Sequence, residues 1–150
     1  MLTLCCTQKV RDRLKLPAEL PPPAPATTAL GNWYINLVRY GRHQVILATS
    51  ERSLLTLMFP AKDLRESLEL NIQVGLRALL HALDVPRAAI DREIGEMQFF
   101  MYGKASNRSV LSSMTQLAHG GYHAPIDFLK CNFFCFYWTL INRHKSTNQR

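Results

Sequence analysis

Seven aliphatic residues define the most demanding element of this chain. Leu64, Leu68, Ile72, Leu76, Leu79, Leu80 and Leu83 recur mostly at three- and four-residue steps. That spacing lines them along one face of a helix that Asp63 opens and Asp84-Val85-Pro86 ends. An apolar stripe of this length must be buried against another element, and the preceding segment supplies one. Asn32–Tyr40, His43–Thr49 and Ser53–Phe59 are strand-like runs, joined by Gly41-Arg42 and Ser50-Glu51-Arg52 and stopped by Pro60. They read as an antiparallel meander. A meander followed by a long amphipathic helix predicts a single α+β domain over residues 1–150. Its mainly antiparallel sheet, of about five strands, would be covered by one long and two or three shorter helices.

The flanking segments complete this layout. Met1–Cys6 reads as a short strand, and Thr7 is placed to cap a helix over Gln8–Leu16. Lys9, Arg11, Arg13 and Lys15 are spread around that helix, which predicts a solvated element. Pro17, Pro21, Pro22, Pro23 and Pro25 make residues 17–28 a stiff connector rather than a helix or central strand. Pro86 suits the first position of a helix ending at Glu96, with Ile90 and Ile94 inward. Asp91, Glu93 and Glu96 then read as its solvated face. Met97–Tyr102 reads as a strand, followed by a helix over Arg108–His119 that Gly120-Gly121 ends. Residues 122–150 form a divergent segment. Phe128–Ile141 within it is dense in aromatics and has high β-propensity.

Composition narrows the class. Hydrophobic content of 47% and charged content of 19% describe a folded protein rather than a disordered one. The first six residues have no basic, apolar signal pattern, and the longest apolar run, around Phe133–Ile141, is about half a membrane span. The expectation is a soluble, cytoplasmic protein without membrane contact. Cys5, Cys6, Cys131 and Cys135 match no standard zinc spacing, and in a reducing compartment they read as free, buried thiols. No metal or cofactor is expected. His119 and His123 are four apart, but Gly120-Gly121 breaks the helical geometry that would make them a ligand pair.

The net charge of +7 is uneven. Residues 1–96 carry +2, whereas residues 97–150 carry +5 with Asp127 as their only acid. An excess of this kind favours anionic partners, nucleic acid first. The densest polar cluster in the basic third is Gly103–Met114, where Lys104, Ser106, Asn107, Arg108, Ser109 and Ser113 gather at a helix start. Ser106, Asn107 and Ser109 are cap-forming types. Capping leaves Arg108 unexplained, because a cation in the first turn opposes the helix dipole. Free N–H groups, hydroxyls and Arg108 together would suit a phosphate. Arg39, Tyr40, Arg42 and His43 form a second basic and aromatic surface around the hairpin turn. Alternation places Trp33, Ile35, Leu37 and Arg39 on a core face, and Tyr34, Asn36, Val38 and Tyr40 on a half-exposed one.

Four segments carry a resemblance. They are Leu2-Thr3-Leu4-Cys5-Cys6-Thr7-Gln8-Lys9, Leu30-Gly31-Asn32-Trp33-Tyr34-Ile35-Asn36-Leu37, Ser50-Glu51-Arg52-Ser53-Leu54-Leu55 and Asn107-Arg108-Ser109-Val110-Leu111-Ser112-Ser113-Met114. Through them residues 1–119 resemble the DUF6933 domain, a small prokaryotic family without an assigned function. The family has Gly where Ser112 stands and Asn where Thr115 stands. The resemblance implies no catalytic residue, and the sequence shows no phosphate-binding loop, nucleophile elbow or zinc-protease motif.

The functional expectation is therefore a non-catalytic binding module for an anionic partner such as nucleic acid. Two alternatives belong to other classes. One is a protein-interaction module of a mobile-element or defence pair, docking a partner or a second copy through Phe128–Ile141. The other is a small nuclease or phosphate-handling enzyme using Arg108 and the nearby hydroxyls.

Overall fold

The computed structural model describes residues 1–119, with the side chain of His119 excepted. Nine elements follow one another: β1 (Leu2–Cys6), α1 (Gln8–Leu14), β2 (Trp33–Tyr40), β3 (His43–Ser50), β4 (Thr56–Pro60), α2 (Leu64–Ala82), α3 (Arg87–Glu96), β5 (Phe100–Lys104) and α4 (Arg108–His119). The protein is an α+β domain with a five-stranded sheet in the order β4-β3-β2-β1-β5.

The sheet is mixed and mostly antiparallel. The β2–β3–β4 meander pairs as its alternation predicts, with Tyr40 opposite His43 and Val45 opposite Pro60. Gly41 turns the first hairpin at φ +60°, a conformation in which a side chain would be strained. β1 runs parallel to both of its neighbours, with Cys5 level with Tyr34 on one side and Gly103 on the other. A parallel β1–β2 pair requires a long crossover. Residues 7–32 provide it as α1 plus the proline-rich connector, which forms neither helix nor strand.

Strand alternation sends side chains into two separate cores. Leu2, Leu4, Cys6, Trp33, Ile35, Ile46, Leu57 and Phe59 face one way. Val10 and Leu14 of α1, the stripe Leu64–Leu80 of α2 and Ile90 of α3 cover them. Cys5, Tyr34, Val45, Leu47 and Met58 face the other way, under Val110 and Met114 of α4. Asn36, Val38 and Tyr40 are half-buried, as expected of the second face, but Tyr34 departs from that expectation: it is 2% exposed because α4 lies over it.

Other expectations are corrected locally. The Thr7 hydroxyl donates to Asn36 Oδ1 and does not cap α1. Asp63 does open α2, as expected, but without a side-chain cap: it stands at φ 54° and its carbonyl accepts from the N–H groups of Glu66 and Ser67. Pro86 precedes α3 rather than beginning it. β5 starts at Phe100 rather than Met97, and Met97 is buried at the end of α3. Arg11 and Glu93 belong to the buried set, not to solvated faces. Glu93 accepts the N–H groups of Ala29 and Leu30 at 2.9 and 3.1 Å, fastening the connector ahead of β2 to α3. Arg11 donates to Gln8 Oε1, while its Nε has no partner among the described residues.

A candidate anion-binding groove

The helix start at Asn107 is a built cap. Asn107 Oδ1 accepts the N–H groups of Ser109 at 3.0 Å and Val110 at 3.4 Å, and its carbonyl accepts from Leu111. Tyr34 reaches up from β2 and accepts the Asn107 N–H at 3.3 Å. Burial raises the pKa of the Tyr34 hydroxyl, which keeps its proton. Ser113 Oγ donates back to the Ser109 carbonyl. The Asn107 amide and the Ser113 hydroxyl thus serve the helix itself, and most of its first N–H groups are engaged. Lys104, Ser106, Arg108 and Ser109 are exposed, and neither Lys104 nor Arg108 forms an ion pair among the described residues. The other cations of the basic third, Lys130, Arg143, Lys145 and Arg150, lie outside the described residues, as do His123, Cys131, Cys135 and Phe128–Ile141.

A second set of cations converges on the opposite side of the sheet. The hairpin reaches past β1, whose last residue pairs with Ile35, and carries Arg39, Arg42 and His43 into solvent. Arg39 belongs to the face that α1 covers, and Gln44 stands directly opposite it. Arg13, in the last turn of α1, donates from Nη1 to Gln44 Oε1 at 2.8 Å. Lys62 follows β4. Together these side chains border a groove of about 410 Å³ floored by Pro60 and Ala61. No carboxylate is among the described residues that line it.

The groove continues into a smaller hollow of about 230 Å³ at the start of α2. Arg13 and Ala61 are shared, and Asp63, Arg65 and Glu66 complete the polar wall. The site is therefore graded: purely basic beside the hairpin and mixed beside α2. Arg39, Arg42 and His43 were legible in the sequence. Arg13 and Lys62 were not, because only the packing of α1 beside β3 brings them there. Tyr40 is half-buried, as expected, but it packs against the second core on the other face and does not line the groove.

Cys5 and Cys6 are free thiols on opposite faces, each fully buried. Among the described residues no group of three or more His, Cys, Asp or Glu could hold a metal ion. No described helix is long and apolar enough to cross a membrane.

The segments that carry the family resemblance meet one another in space. Asn32 accepts the Thr3 N–H and donates to the Ala24 carbonyl, Glu51 accepts the Asn32 N–H, and Ser50 donates to the Leu30 carbonyl. They fasten the start of β2 to β1 and to the β3–β4 turn. No curated protein and no solved structure matches the chain. The profile of the family described as "Domain of unknown function (DUF6933)" matches residues 3–128, past the end of α4, and the chain belongs to that family.

Proposed function

We propose that this protein is a non-catalytic module that binds an anionic partner, nucleic acid foremost. The observation that carries the reading is the groove between α1, the hairpin and the β4–α2 connection. Four basic side chains, Arg13, Arg39, Arg42 and Lys62, border it without a lining carboxylate among the described residues. Cations gathered in one groove without a carboxylate among its lining residues repel one another, and a bound polyanion relieves that repulsion. Guanidinium groups are the side chains best shaped for phosphate, through paired N–H donors. The sequence-wide charge of +7 draws the same class of partner towards the surface. Lys104 and Arg108, on the α4 side, offer a separate point of contact.

The test is retention of the full chain on immobilised nucleic acid as salt is raised. Elution should come earlier for Arg39→Ala/Arg42→Ala than for the parent, because each lost phosphate contact reduces the counterions released. Retention that ignores salt, or that the double substitution leaves unchanged, removes the basis of the reading.

A further inference from the structure

Resting on that reading, we infer that the groove grips the sugar-phosphate backbone of a nucleic-acid duplex and reads no base. Proteins that hold single strands combine a basic track with aromatic platforms on which bases stack. The hairpin is rich in aromatics, but alternation turns Tyr34 and Tyr40 to the other face of the sheet, where Tyr34 is buried under α4 and Tyr40 is partly buried against the second core. Trp33 shares the face of Arg39, yet it is 0% exposed beneath the helices. The His43 imidazole is the only aromatic ring among the described residues lining the groove. Among the described residues a single strand would find charge there and little to stack on.

Charge alone favours the denser polyanion. A duplex presents about one phosphate per 1.7 Å of axis, against one per about 3.4 Å along each strand. The groove answers with cations from three separate elements: Arg13 from α1, Arg39 and Arg42 from the hairpin, and Lys62 after β4. Its far end limits the track. Asp63 and Glu66 repel phosphates, so the backbone path ends before the start of α2. The groove contact is therefore short, with at most four phosphates neutralised by its Lys and Arg side chains. The groove's share of the slope of log affinity against log salt is then no steeper than about −3.6 for a duplex.

The experiment titrates the full chain against fluorescent short DNA. The probes are one mixed-sequence duplex, each of its separated strands, and a second duplex of unrelated sequence. Lys9, an exposed cation of α1 outside the groove, provides the control substitution. The duplex should bind at least about tenfold tighter than either strand, and the two duplexes should bind alike. Arg39→Ala and Arg42→Ala should each reduce the magnitude of the slope by about 0.9, and Lys9→Ala should leave it in place. If a single strand binds as tightly as the duplex, or the duplexes differ clearly, the inference is overturned. Anion binding still stands in that case, provided affinity depends on Arg39 and Arg42. If no probe binds, or binding is indifferent to both arginines, the underlying reading falls as well. Arg39 and Arg42 are exposed, so both variants should fold, and an unchanged circular dichroism spectrum verifies this.

Discussion

Arg13 and Gln44 are joined across 31 residues of chain by a 2.8 Å hydrogen bond from Nη1 to Oε1. The bond sets one guanidinium beside the strand pair that presents another, because Gln44 lies opposite Arg39. Gln44→Glu should therefore separate binding from stability. The new carboxylate would pair with Arg13 and place a negative charge inside the groove. Affinity for duplex DNA should fall about tenfold or more. Because the position is exposed, thermal stability should move by less than about 0.5 kcal/mol. Anisotropy titration and a melting curve on the same sample check both halves. Unchanged affinity would place the ligand elsewhere.

The α4 start makes a second prediction through Tyr34 and Asn107. Asn107→Ala removes the acceptor for two N–H groups and should cost about 1 kcal/mol. Tyr34→Phe removes the acceptor for the Asn107 N–H and should also cost about 1 kcal/mol. Both act on one helix end, so the double variant should lose less than the sum. Amide hydrogen exchange should quicken at Ser109 and Val110 in Asn107→Ala, while amides of α2 stay protected. Strict additivity would mean that the two residues do not support the same structure.

The sequence made α2 and the meander legible because their signals are local: a helical period in one and a strand period in the other. The alternation of β2 also separated Trp33 and Ile35 correctly from Tyr34. What it could not supply was the burial of Tyr34, since Asn107, which leads into α4, lies 73 residues after it and only packing brings the two together. Glu93 shows the same limit. Its spacing on α3 allows a solvated position, and its true partners, the N–H groups of Ala29 and Leu30, lie more than sixty residues earlier. The groove is a mixed case. Arg39, Arg42 and His43 announce themselves around a turn, whereas Arg13 was lost among four cations on one short helix. The parallel pairing of β1 was illegible for a similar reason, because a five-residue strand carries no mark of its neighbours' direction.

Gly103 tests how closely the connector sits on the sheet. A Cβ placed there would stand 2.8 Å from Thr3 Cγ2, 3.5 Å from the Pro21 carbonyl oxygen and 3.7 Å from Pro23 Cγ. Thr3 is buried on the neighbouring strand, so its methyl has little room to yield. Gly103→Ala should destabilise by about 1–3 kcal/mol through overpacking. Thr3→Ser removes the clashing methyl and keeps the hydroxyl. In the Gly103→Ala background it should recover about 1 kcal/mol, against a loss in the parent. Urea unfolding of the four proteins completes the cycle. Equal effects of Thr3→Ser in both backgrounds would relocate the clash to the proline segment.

The adjacent thiols of β1 give the last prediction, and its sign follows from burial. Desolvation pushes Cys5 from 9.0 up to about 12, with Glu51 adding to the shift and the Tyr34 hydrogen bond opposing it. Desolvation also pushes Cys6 from 9.0 up to about 12, with Cys5 adding and Arg11 opposing. Burial raises Tyr34, Tyr40 and Tyr102 in the same direction. Between pH 9 and about 12 the folded protein therefore holds protons that the unfolded chain releases. The associated stability is complete below pH 9 and is lost as pH rises towards the folded values. The urea midpoint should be level near neutral pH and fall steadily above about pH 9. Cys5→Ala/Cys6→Ala, although destabilised by lost packing, should show a shallower fall. Iodoacetamide at neutral pH should leave both thiols unmodified in the native protein and label them once urea unfolds it, as peptide mass spectrometry would show. Rapid labelling of the native protein, or a midpoint that rises with pH, would contradict the burial of this strand.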